Sequence, residues 1–256
     1  ELETYYRNLL KHIQHLPANT ANEAVYLILG ALPIEGLLDL RILSLFNRIA
    51  LQDASKEWEI LRRQLAMKDM SSNSWAVYVR KILWKYNLPS AFEIFQNPLT
   101  KSEWQVHIKS EVHAFWERKL KEGSKDKTSL RYLNLEACTI GTPHPIYSMM
   151  NVDPVYVHMN SIKVKVLTMR YHLADSHMEK SGTNICPVCG AQNETLHHFL
   201  FECNRTDCMY AVYQLHYVMS TCGLTLPEFN PDSYNWYVKL FLDPTWYVVD
   251  EDALNE

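Results

Sequence analysis

The sequence predicts an all-α protein, an irregular helical bundle with a small cysteine–histidine knuckle set between helices. Three observations lead there. Glycine is scarce, 7 of 256 residues, while Leu, Lys, Glu and Gln are plentiful, which favours helix over turn-rich sheet. Helix-start signals recur along the chain. Four of the six cysteines fall between positions 186 and 208.

The start signals are capping boxes at Thr20–Glu23, Ser90–Glu93 and Thr100–Glu103. In such a box the hydroxyl accepts the amide of the third helical residue, and the Glu reaches back to the cap. Asp153-Pro154 is a second kind of start, a side-chain acceptor followed by proline at the first helical position. Helices are expected near 2–15, 21–30, 33–52, 55–68, 72–86, 90–96, 101–121, 154–179, 194–203, 205–222 and 232–242. The 33–52 helix is apolar on most sides, so it should be buried. Its narrow polar strip, Arg41, Ser44, Arg48 and Gln52, should pair with acids or line a groove. In 154–179 the residues Val155, Met159, Ile162, Val166, Met169 and Leu173 form one stripe and should face the core, with Lys163 and Arg170 sharing another face.

The polar run 122–128 and the Gly141-Thr-Pro-His-Pro145 turn mark connectors. The expected organisation is a helical domain over 1–128, a connector over 129–153, a helix-plus-knuckle module over 154–225 and an acidic C-terminal tail over 226–256.

With 47% hydrophobic residues the chain has material for a real core and is not a disordered tail. Glu1 and Glu3 stand where a signal peptide would be positive. The longest apolar stretch, Ala24 to Ile34, is far short of the roughly 20 residues of a membrane span. A soluble, intracellular protein, nuclear or cytoplasmic, is expected, with no membrane partner. The net charge is −4. It is uneven: residues 53–135 are net basic, whereas 224–256 carry one basic and seven acidic side chains. The centre can meet phosphate and the tail cannot, and the overall balance argues against tight autonomous binding to nucleic acid.

The pattern Cys186-Pro-Val-Cys189-Gly190, then His198, then Cys203, has metal-ligand spacing. Two thiolates separated by two residues grip one ion from a tight turn, which Gly190 closes with positive φ. Residues 194–203 read as a short helix that places His198 inside the site and Cys203 at its end, where Asn204 terminates it. The expected cofactor is Zn²⁺ in a CCHC zinc knuckle formed by Cys186, Cys189, His198 and Cys203. Four protein ligands leave no open position, so the site is structural and not catalytic. His197 is the rival ligand, but on a helix it points about 100° away from His198. Phe199 and Leu200 should fill the small core beside the metal. Cys208 lies on the helical stripe Cys208, Val212, Leu215, Met219, Cys222 and, like the remote Cys138, reads as a packing thiol.

Tyr247-Val-Val-Asp-Glu-Asp252 has a faint likeness to a polymerase palm motif, with one residue too many before the acids and no second acidic motif to share metal ions. No Walker loop, dinucleotide fingerprint or nucleophile elbow is present. No catalytic residue is assigned, and this segment is not expected to be an enzyme.

Several strings carry a resemblance. They are Leu16–Tyr26 (LPANTANEAVY), Leu29–Glu35 (LGALPIE), Gln64–Asp69 (QLAMKD), Ser72–Trp75 (SNSW), Tyr132–Cys138 (YLNLEAC) and the Cys-Pro-x-Cys-Gly knuckle with its Thr-x-x-His-Phe-Leu-x-x-Cys ending. Over roughly 10–205 the chain resembles the region after the polymerase domain in LINE-type (non-LTR) retrotransposon reverse transcriptases. In that family the thumb and a cysteine–histidine segment help hold template RNA and target DNA during target-primed reverse transcription, and the palm carries the catalytic aspartates. The resemblance implies a non-catalytic accessory region of a parent polyprotein that is an RNA-directed DNA polymerase. It makes 1–128 a post-thumb region and the same polyprotein's polymerase domain a partner.

Two functions compete. One is binding RNA or DNA, favoured by the basic 53–135 stretch interleaved with Trp58, Trp75, Trp84, Trp104 and Trp116, where aromatics can stack on bases and cations meet phosphates. The candidate contacts are Arg62, Arg63 and Lys68; Arg80, Lys81 and Lys85; and Lys163 with Arg170. The other is a structural or protein-interaction zinc module with no nucleic-acid contact, in which those cations are solvated helix faces and most of the tryptophans are core.

Overall fold

The structure is a computed structural model that describes residues 1–148, 154–171, 173, 185–191, 194–203, 208–221, 223 and 225–246. It is all-α. The helices are α1 (Leu2–Ile13), α2 (Asn22–Leu29), α3 (Ile34–Ala50), α4 (Lys56–Met67), α5 (Trp75–Lys85), α6 (Ala91–Gln96), α7 (Lys101–Ser124), α8 (Pro145–Ser148), α9 (Pro154–Leu167), a π-helical turn at His198–Glu202, α10 (Cys208–Thr221) and α11 (Tyr234–Leu242). Among the described residues the only β pairing is an isolated bridge between Thr139 and Thr142.

The starts follow local chemistry. Ser90 and Thr100 form complete capping boxes with Glu93 and Glu103, and Ser55 and Ser74 cap α4 and α5. The box expected at Thr20 does not form. The Thr20 hydroxyl is buried with no hydrogen bond, and Glu23 instead accepts from Lys127 Nζ at 2.6 Å. That ion pair takes up the carboxylate the box would have used.

The chain divides into two compact units, each discontinuous in sequence. The first comprises Glu1–Leu10, Val25–Lys125 and Cys138–His144; the second comprises Lys11–Ala24, Asp126–Ala137 and Pro145–Glu256.

In the first unit α3 packs against α4, α5, α6 and α7. Phe46, Leu43, Leu83, Trp104 and Ile108 fill the core. At Gly36 a Cβ would stand 2.6 Å from Trp116 Nε1, so the α3–α7 crossing needs a residue without a side chain there. Trp104 Nε1 donates to Leu43 O at 2.9 Å and Trp116 Nε1 to Tyr86 Oη at 3.0 Å, which satisfies both buried indoles. The helix is less enclosed than its composition implies: Leu38 and Leu45 are exposed. One charge is enclosed. Asp39, 2% exposed, accepts from Lys85 Nζ and Tyr86 Oη, each at 2.7 Å.

In the second unit α11 packs against α9, and the π-helical turn packs against α10. The core is aromatic: the Phe201 ring lies 5.2–6.4 Å from those of Phe229, Tyr234, Tyr237 and Phe241. Residues 226–246, expected to begin an acidic tail, are therefore structural. Asp243 is fully buried, accepts the Asn134 amide at 2.8 Å, and caps Thr245. Trp246 Nε1 donates to Tyr132 O at 2.7 Å. The Tyr132–Cys138 string is thus tied through its first residues to the end of α11. Residues 247–256, which hold the acidic Tyr247–Asp252 string, lie outside the described residues.

α9 also differs from expectation. It stops at Leu167 and does not run to 179. The Thr168 hydroxyl turns back to Val164 O at 2.9 Å, Met169 adopts φ +54°, and the Arg170 amide closes onto Lys165 O at 2.7 Å. A left-handed residue followed by a return hydrogen bond ends a helix. Of the expected stripe Val166 and Leu173 are buried while Val155 and Met159 are exposed; Ser161, Val164, Leu167 and Thr168 are buried beside them.

Candidate metal centre

Cys186, Cys189, His198 and Cys203 come together. One ligand atom from each lies within 4.8 Å of every other, an arrangement able to hold a metal ion. Cys186, His198 and Cys203 are buried and Cys189 is half-buried.

Two local devices build the cluster. The first is the turn at 186–191. The Gly190 amide donates to Cys186 O and the Cys186 amide to Ala191 O, both at 2.8 Å, and Gly190 has the φ of +77° that closing such a turn requires. The second is the π-helical turn. On an α-helix residues five apart point about 140° away from each other. Here the Cys203 amide donates to His198 O at 2.7 Å, the i→i+5 bond of a widened turn. That extra residue per turn brings Cys203 back over His198. Where a short regular helix is expected over 194–203, His198–Glu202 is π-helical. The same widening changes what packs. Leu196 and Phe201 are buried, while Phe199 and Leu200, expected to fill the core, are only half-buried.

His198 and not His197 is in the cluster. Its Nε2 lies 3.3 Å from Cys189 Sγ. Its Nδ1 faces Glu202 Oε2 at 3.8 Å, one helical step away. A carboxylate behind the second ring nitrogen is the usual way to orient a ligating imidazole. His197 turns outward and sits 3.0 Å from Asn235 Oδ1. The Ala191 amide favours a Cys189 thiolate, but loss of hydration and the nearby Cys186 and Cys203 thiols outweigh it and push the Cys189 thiol up. Three crowded thiols ionise together only when a cation lies among them. Sequence reasoning did not single out Glu202 and Asn235; the i, i+4 step from His198 was the available signal for Glu202. Asn204, Cys222 and the Cys208 side chain lie outside the described residues. Cys138 is fully buried.

The cations singled out for phosphate contact do not form one surface. Arg62 and Arg63 both bind the Glu59 carboxylate, at 2.9 and 2.8 Å. Lys68 is exposed at the end of α4, and its carbonyl accepts from Arg80 Nη1 at 3.1 Å. Lys81 is exposed and shares a shallow depression with Met70, Trp84 and Phe115. Lys85 is a structural cation and not a surface one: besides Asp39 it reaches Glu35 at 2.6 Å, and its ammonium lies 4.8 Å from the Tyr86 ring. Burial opposes its charge, but the hydrogen bonds to Asp39 and Glu35 outweigh this and raise its pKa. Lys163 is exposed on α9; Arg170 lies beyond the helix end and shares no face with it. Of the five tryptophans, Trp104 and Trp116 are core, Trp58 stacks on Phe95, Trp75 lies against Phe46, and Trp84 stands 84% exposed.

No protein-family profile, curated protein or solved structure matches the chain.

Proposed function

We propose that this chain is a non-catalytic accessory region of a LINE-type retrotransposon reverse transcriptase, with a structural zinc in its second unit and a role in holding RNA or DNA beside the polymerase domain. The observation that carries the zinc assignment is the closed donor set. Three thiols and one imidazole are the ligands zinc selects, and a tetrahedral zinc site, with ligand atoms about 3.5–3.8 Å apart, falls inside the 4.8 Å that bounds this set. With four protein ligands the ion has no position for substrate, which supports a structural role. The nucleic-acid role is supported by Trp84, exposed next to Lys81 in a net basic stretch, because an uncovered indole beside a free ammonium suits a stacked base and its phosphate.

A second reading, a structural or protein-interaction module, is favoured by a specific observation: Arg62, Arg63 and Lys85 are already neutralised by carboxylates. Metal analysis and filter binding decide between outcomes. Protein purified without chelator should hold one zinc per chain and retain structured RNA at low salt, losing it as salt rises. Zinc without RNA retention supports the second reading. An intact fold with no metal and free thiols refutes the zinc assignment. Primer extension by the chain, lost on replacing one of its acids, refutes the non-catalytic assignment.

A further inference from the structure

The polar strip of α3 faces the start of α7 across an open groove of about 590 Å³. Arg41, Ser44, Arg48 and Gln52 line one wall, at steps of three and four, and Lys101 and Gln105 line the other. Arg41 and Arg48 are exposed, as is Lys101. The charge is one-sided: three cations and no carboxylate line the groove among the described residues. The acid closest in sequence to Lys101, Glu103, is committed to its capping box, accepting the Thr100 amide at 3.1 Å and the Thr100 hydroxyl at 2.6 Å.

The groove is braced from beneath and across. Asn47 Nδ2 donates to Leu99 O at 3.0 Å, and Trp104 Nε1 donates to Leu43 O at 2.9 Å. Gln105 Nε2 crosses to Ser44 Oγ at 2.8 Å, and Ser44 in turn donates to Leu40 O. These bonds hold α3 and α7 at a set spacing, so the three cations project from a rigid frame. They also differ from the paired basic residues of this unit. Arg62, Arg63, Lys85 and Lys121 each have an acid within ion-pair distance, whereas the side chains of Arg41, Arg48 and Lys101 have none among the described residues. A paired cation must break its ion pair before it meets a phosphate; an unpaired one only sheds counterions.

We infer that this α3–α7 groove binds the phosphate backbone of a nucleic-acid strand, through Arg41, Arg48 and Lys101. The inference rests on the nucleic-acid reading above and places its main phosphate contact in this groove. A strand is favoured over a free phosphate by spacing. Arg41 and Arg48 are two helical turns apart, roughly 10 Å along α3, so one phosphate cannot engage both fully while successive phosphates of a strand can. Gln52 and the carboxamide oxygen of Gln105 add neutral groups for sugar and base edges, with no preference for a particular sequence.

The test uses the full chain and a labelled single-stranded oligoribonucleotide, followed by anisotropy over a salt series. Replacing Arg41, Arg48 and Lys101 together by Gln should lower the magnitude of the logarithmic salt slope by about 2, at about 0.7 per lost contact on a single strand. Arg41→Lys with Arg48→Lys should keep the slope, which separates lost charge from lost fold. Arg62→Gln with Arg63→Gln should leave slope and affinity as they were. Unlabelled oligonucleotide should displace the probe where inorganic phosphate or a mononucleotide does not. If the parent chain binds and the triple variant binds with the same slope, the groove assignment is overturned and the broader reading stands. If the folded parent chain does not bind at all, both fall. Displacement by inorganic phosphate makes this a small-anion site, and displacement by polyglutamate as effective as that by RNA makes it a protein-docking groove; either result overturns the strand.

Discussion

The two units hold themselves together differently. The first is a helical packing problem: α3 meets four neighbours, its core is aliphatic and aromatic side chains, and one enclosed polar chain runs through Asp39, Lys85, Tyr86 and Trp116. The second has fewer described helices. It relies on one aromatic cluster around Phe201 and on four ligands that a short turn and a π-helical turn bring to one point. A core of the first kind loses stability in increments as residues are trimmed. A site of the second kind is lost as a unit, because its ligands come from segments that have little else to hold them.

The largest effect should therefore come from Cys189→Ser. Under the proposed zinc assignment the ion contributes about 10–16 kcal/mol of apparent folding free energy, the range of structural zinc in small sites. Hydrogen exchange on the intact chain should show amides of 196–203 and 234–242 losing protection while α3, α5 and α7 keep theirs. Uniform loss, or none, would erase the contrast between the units.

Next comes the enclosed charge of the first unit. Asp39→Ala leaves Lys85 with one exposed partner, Glu35. Removing one member of a buried pair costs about 3–5 kcal/mol, and because Lys85 is 23% exposed and keeps Glu35, about 2–3 kcal/mol is expected in urea unfolding. The pH dependence has a definite sign. The Lys85 pKa is raised in the folded state above its ordinary 10.5, so its contribution is complete below that value and is lost as pH climbs past it. Lys85→Met should flatten the alkaline fall in stability; an unchanged alkaline limb would show that Lys85 does not contribute to it.

Gly36→Ala tests the packing itself. The added methyl meets Trp116 Nε1 at 2.6 Å and must displace the indole from Tyr86. Overpacking of this kind costs about 1–3 kcal/mol, partly offset by the better helix propensity of Ala. A variant as stable as the parent would mean that α3 and α7 can separate freely.

The smallest effect belongs to the exposed triad on α4. Glu59→Gln should leave the urea midpoint where it is, since exposed pairs contribute little. Yet hydrogen bonds from Arg62 and Arg63 lower the Glu59 carboxyl, so an NMR titration of the parent should find its midpoint below the ordinary carboxylate range. An ordinary carboxylate midpoint would mean that Arg62 and Arg63 are free, and would return them to the list of phosphate contacts.

What could be read in the sequence was whatever depends on near neighbours. The all-helical class, the capping boxes at Ser90 and Thr100, the turn glycine at 190 and the four ligand types were legible because each is fixed within a few residues. Where longer contacts compete, local signals gave way. Glu23 left its expected cap for Lys127, α9 ended twelve residues early, and residues 226–246 folded on Phe201 and Asn134 despite their acidic composition. Nor does charge reveal its partner. Lys81 and Lys85 look alike at one-turn spacing, but only the fold places Asp39, 46 residues from Lys85 in sequence, against the second. The π-helical turn is the clearest case. Spacing named His198 and Cys203 as ligands, but a regular helix would have pointed them apart. Their convergence depends on one added residue per turn, which packing of Leu196 and Phe201 and closure of the cluster decide together.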